Sequence, residues 1–176
     1  MRNNMRGLLF HFFTIIIVFS LAFIINLSEN LREFVYGNLF FRIFLTLIPL
    51  LLYYNFGKGM SKKTARQLDF LTGNIIVLMA ILLGIVSFLG LGKNPLAEPP
   101  GTNMWKFPLE LFLMPQIYII KINRLPLNMG TVLISSFIPG LLYGISIKRS
   151  RARWKRRMRS IRHQQEMRRK SQRRRR

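Results

Sequence analysis

The sequence predicts an all-α integral membrane protein with four transmembrane helices. Half of its 176 residues are hydrophobic, and they gather into long runs instead of being dispersed as in a soluble core. Four of these runs approach or reach the roughly 20 residues that cross the roughly 30 Å hydrocarbon layer. Positive charge is concentrated at one end: Lys148 to Arg176 holds sixteen Lys or Arg against one acidic residue, Glu166. That stretch carries +15 of the net +22, so the charge is a local device. A like-charge block this dense cannot pack a core and is either solvated or laid on a polyanion.

The first span covers 7–27, interrupted only by His11, Thr14, Ser20 and Asn26. Arg2 and Arg6 precede it, and Ser20-Leu21-Ala22 resembles a signal-peptide cleavage site. The apolar run continues past that site, so an uncleaved anchor is the expectation. The second span covers about 36–54, its start extending back toward Phe34, with Pro49 inside and Arg42 placed to snorkel to the headgroups. The link Asn55–Phe70, with Gly57, Lys58, Gly59, Lys62, Lys63 and Arg66, reads as a basic loop. The third span covers 71–91 and the last 126–147, where Pro139 is expected to kink the helix. Between them, Pro95, Pro99, Pro100 and Gly101 resist helix. The apolar segment 107–122, with Pro108, Glu110, Pro115, Gln116 and Lys121, reads as interfacial or re-entrant at the outer leaflet, with Trp105 and Tyr118 as its interface aromatics.

Charge decides the count. Four spans put Arg2, Arg6, Lys58, Lys62, Lys63, Arg66 and the tail on one face, leaving Arg32, Arg42, Lys93, Lys106, Lys121 and Arg124 on the other. The orientation bias of Lys and Arg then makes both termini cytoplasmic. The Ile, Asn and Phe usage suits a bacterial plasma membrane.

Chemistry-bearing constellations are sparse. With no Cys there is no disulfide, thiolate nucleophile or Cys-ligated metal. No carboxylate falls mid-membrane, which argues against a proton relay within this chain. His11 reads as an interfacial ring, and Glu29 or Glu33 as a partner for Arg42. Gly57-Lys58-Gly59-Met60-Ser61-Lys62-Lys63-Thr64 lacks the glycine before Lys-Ser/Thr and the preceding strand of a phosphate loop. We expect no catalytic residue, no cofactor and no metal. Small residues recur at intervals of four, Ala80 and Gly84 in the third span and Ser136, Gly140 and Gly144 in the last. These are the expected helix-packing positions, within the chain or between copies of it.

The tail carries the functional expectation. As a helix, it would set Trp154, Met158 and Ile161 on one face among arginines, a weakly amphipathic element; disordered backbone is the alternative. Lys148, Arg149, Arg151, Arg153, Trp154, Lys155, Arg156, Arg157, Arg159 and Arg162 are the expected lipid- or polyanion-binding residues. Anionic lipid is the first ligand class, at about 1 kcal/mol per basic residue near the surface. An acidic protein partner is the second. RNA is the third, favoured by Arg173–Arg176.

The reading that follows is a non-enzymatic accessory or scaffold subunit, with a small oligomeric channel or transporter as the alternative. Arg42 in a membrane helix, taken with the basic C-terminal tail, is similar in composition to the insertase family that receives nascent chains from ribosomes. In that family the arginine faces a groove open to the cytoplasm, whereas the topology above sets Arg42 near the outer face, and Asn55–Phe70 is shorter than the family's cytoplasmic hairpin. The resemblance implies recruitment of a ribosome or other RNA to the membrane.

Overall fold

The structure, a computed structural model, describes residues 2–60, 72–96 and 101–174, without the side chains of Arg2 and of residues 168–174. Lys62, Lys63 and Arg66 of the basic link, Pro99, Pro100, and Arg175–Arg176 lie outside the described residues.

The chain is all-helical among the described residues: α1 (Arg2–Asn26), α2 (Glu29–Gly37), α3 (Leu39–Gly59), α4 (Asn74–Leu91), α5 (Phe107–Phe112), α6 (Met114–Ile122), α7 (Met129–Ser136) and α8 (Ile138–Arg174). Four helical stretches are long and apolar enough to cross a membrane, at Asn3–Asn26, Leu39–Gly59, Asn74–Leu91 and Met129–Met167. Their outward faces are apolar: Phe12, Ile16, Phe19 and Phe23 on α1, and Leu78, Ile81, Ile85 and Leu89 on α4, are exposed. Such a surface is stable where the solvent is lipid.

The spans differ at their ends from the expected 36–54, 71–91 and 126–147. Asn38 starts α3 by accepting the Phe40 N–H at 2.9 Å, so 36–37 belong to α2. The last turn, Asn55–Gly59, is helical and not loop, because Gly57 lets α8 approach. A Cβ there would lie 2.8 Å from Ser146 Cβ and 3.2 Å from Tyr143 Cα. Gly73, at φ +107, opens α4 and lies so close to Gly140 that a Cβ would stand 2.9 Å from its Cα. The last span begins at an Asn128–Thr131 capping box and is interrupted at Phe137, because Pro139 in the first turn of α8 has no N–H to give. Pro49, by contrast, is accommodated inside α3.

Antiparallel α1 and α3 pack together, and α3 pairs with α8, through aromatic and polar contacts. Phe10 stacks on Phe56 with centroids 4.7 Å apart, and Tyr53 meets Tyr143 edge to face at 5.7 Å. Tyr143 Oη donates to the Gly7 carbonyl at 3.1 Å. Segment 107–122, expected to be interfacial or re-entrant, is a pair of short helices with Leu109, Phe112, Ile117, Ile120 and Ile122 buried. It packs against α1 and α3 and completes the core. The two helices break at Leu113: Pro115 cannot donate to a preceding carbonyl, and the Phe112 carbonyl accepts from His11 Nε2 at 2.9 Å.

Candidate polyanion-binding site

Two helices meet where α3 ends and the basic tail leaves the bundle. Ser146 Oγ donates to the Tyr54 carbonyl at 2.6 Å, tying the α8 backbone to the penultimate turn of α3. One turn further on, Lys58 Nζ lies 4.7 Å from the Tyr54 ring centroid and donates to Asn55 Oδ1 at 2.6 Å. Arg149 and Arg153 lie near the Tyr54 hydroxyl. The result is a cleft of about 510 Å³ lined by Lys58, Ser150, Arg153, Trp154, Arg156 and Arg157. Among the described residues, every charged side chain lining it is basic. Cations gathered this way repel one another, so an anion placed between them is favourable by Coulomb attraction and by relief of that repulsion.

Beyond the cleft, α8 runs unbroken to Arg174. At 1.5 Å per residue, 148–174 extends about 40 Å past Ile147. Lys148, Arg149, Lys155, Arg159 and Arg162 are exposed along it, and Arg151 is half-buried at its root. Trp154 and Ile161 are 42% and 40% exposed and Met158 is half-buried, so the apolar stripe of the tail is left partly uncovered. Of the tail residues singled out from sequence, the structure gathers Arg153, Trp154, Arg156 and Arg157 into the cleft and strings the others along the helix. Lys58, which lies over the Tyr54 ring, was missed as its second wall. Its signal was available in the aromatic–basic sequence Tyr53-Tyr54-Asn55-Phe56-Gly57-Lys58.

The packing positions are buried. Ala80 is fully buried and Gly84 lies against the Met129 methyl. Ser136, Gly140 and Gly144 are buried on the last span, and Gly140 meets Gly73.

His11 departs furthest from expectation, because its ring is wholly buried inside the bundle. Nε2 faces the Phe112 carbonyl, which can only accept, so Nε2 carries the proton. Nδ1 of the neutral ring then accepts from the Tyr53 hydroxyl at 2.7 Å. Thr14 and Gln116 are buried nearby, and both polar atoms of the Gln116 side chain lack a hydrogen-bond partner in the protein. Arg42 does not pair with Glu29 or Glu33. Its Nε donates to the Ile122 carbonyl at 2.7 Å, while Glu29 pairs with Arg32 at 2.7 Å.

Among the described residues, no group of His, Cys, Asp or Glu could hold a metal ion. No protein-family model, no curated protein and no solved structure matches this chain.

Proposed function

We propose that this chain is a non-enzymatic accessory or scaffold subunit of a membrane. In this reading the basic cleft at the root of α8 binds anionic lipid headgroups on the cytoplasmic face, and both termini lie on that side. The observation that carries the reading is the cleft itself, with Lys58 supplied by one span and Arg153, Arg156 and Arg157 by another at the point where both spans end. A phosphate there sits at headgroup depth, and Trp154 in the cleft wall is the residue type that favours the interface.

Tryptic cleavage in nanodiscs tests it. In phosphatidylglycerol discs, cutting after Arg153, Arg156 and Arg157 is expected to be slower than in phosphatidylcholine discs. Equal rates in both lipids overturn the headgroup reading.

A second reading draws on the unbroken course of α8. A helix that continues straight on from a span carries its distal arginines beyond the headgroups, where an acidic protein or RNA is the available polyanion. Its mark is a partner lost on truncation after Ile147 and recovered from the full chain.

A further inference from the structure

A second cavity lies at the opposite end of α1. It has a volume of about 460 Å³, within the range of small-molecule sites, and is bounded by α1, α2, α5, α6 and the segment after α6. Its walls are apolar, with Ala22, Leu96, Met114, Ile117 and Leu127 among them. Its polar groups are Asn26, Tyr36, Tyr118, Glu110, Lys121 and Arg124.

Charge at this cavity is unbalanced. Glu110 is 3.6 Å from Lys106, a fully buried lysine, and its Oε2 accepts the Gly101 N–H at 2.8 Å. The one carboxylate among the described lining residues is therefore already engaged, and the cavity keeps the positive charge of Lys121 and Arg124. The Tyr118 hydroxyl is buried without a hydrogen-bond partner in the protein, although the Tyr36 hydroxyl is close by. Asn26 Nδ2 donates to that Tyr36 hydroxyl at 3.2 Å.

Arg124 also has an unusual backbone. At φ 56 it is the one non-glycine residue with positive φ among the described residues. It follows the last turn of α6 in the position where helices commonly place glycine, with Leu125 N–H returning to the Ile120 carbonyl at 3.0 Å. Glycine would hold this turn more easily, so the arginine sits here at a cost to the fold.

We propose that this cavity binds a single phosphate-bearing lipid, its acyl chain along Met114, Ile117 and Leu127 and its phosphate between Lys121 and Arg124. The apolar walls account for a chain and the unbalanced cations for the anionic head. The orphaned Tyr118 hydroxyl supplies a neutral donor to the ester region.

Photocrosslinking tests this in the full-length protein. Benzoylphenylalanine replaces Met114, and the protein is placed in nanodiscs of equal phosphatidylglycerol and phosphatidylcholine. The adduct is expected to be enriched several-fold in phosphatidylglycerol, and Lys121→Gln with Arg124→Gln should return it to the bulk ratio. Substitutions in the α3–α8 cleft should leave the enrichment unchanged. A bulk ratio in the parent protein, no lipid adduct, or enrichment that survives the paired substitution overturns the proposal. Ile117→Trp, which fills the cavity without touching the charges, should abolish the adduct, and its persistence counts equally against the site.

Discussion

Ser146 donates its hydroxyl to the carbonyl of Tyr54 at 2.6 Å, directly beside the point where Gly57 admits α8 to van der Waals contact. This contact sets the spacing of the two walls of the basic cleft. It links a packing detail inside the membrane domain to the charge arrangement outside it.

Gly57→Ala is therefore expected to destabilise the protein by about 1–3 kcal/mol, because a methyl group meets backbone and Cβ atoms that cannot swing away. Gly59→Ala, where nothing lies within 4 Å, should be neutral or slightly stabilising. Denaturant titration of the purified protein checks both, and equal effects would mean that α3 and α8 do not meet at Gly57.

Removing the ring in His11→Ala leaves the Tyr53 hydroxyl and the Phe112 carbonyl without their partner, at a cost of about 1–3 kcal/mol. Protection of the α5–α6 segment in hydrogen exchange should fall further than that of α4. In the parent protein, ¹⁵N shifts of the imidazole should show a protonated Nε2 and a bare Nδ1 at neutral pH, since only that neutral tautomer serves both neighbours.

Arg124→Gly should have opposite effects on stability and on ligand retention. It relieves a left-handed conformation that costs an L-residue about 1–2 kcal/mol, so the midpoint of unfolding should not fall. Retention of the phosphate-bearing lipid should fall by severalfold in the same preparation, as read by lipid mass analysis after detergent washing.

Lys121 adds a pH dependence. Burial holds its amine below the usual lysine range, aided by Lys106 and opposed by Glu110. Arg124, Tyr36 and Tyr118 also face the cavity. Because the unfolded lysine binds its proton more tightly than the folded one, the stability contribution rises as pH rises through the folded value toward that of free lysine. An anionic head binds the protonated form, so its affinity is full below the folded pKa and is lost as pH rises through it. Lys121→Arg, which stays charged, should flatten this alkaline loss. An unchanged profile would remove Lys121 from the site.

The spans were legible because a run of Phe, Ile and Leu long enough to cross a bilayer has few other stable solutions, and the outward residues of α1 and α4 carry that signal without help from neighbours. What lay hidden depended on tertiary partners. Gly57 reads as a turn residue beside Lys58 and Gly59, and only α8 shows it to be a crossing point. His11 reads as interfacial until α5 supplies a carbonyl and α3 a hydroxyl. Segment 107–122 has the prolines and charges of a surface piece, yet its glutamate is paired locally and its apolar residues are buried against α1 and α3. The arginines of the cleft were legible as a cluster, but Lys58 lies ninety residues and more away from them in sequence.

The central claim is that the α3–α8 cleft holds an anionic headgroup, and native mass spectrometry of the full-length protein released from its membrane tests it most directly. The parent protein is compared with Lys58→Gln, Arg153→Gln, Arg156→Gln and Arg157→Gln combined, which removes up to about 4 kcal/mol of headgroup attraction at about 1 kcal/mol per residue. The account predicts that the parent retains an anionic phospholipid adduct lost in the variant, while the adduct dependent on Lys121 and Arg124 remains. Identical adducts in the two proteins would contradict it.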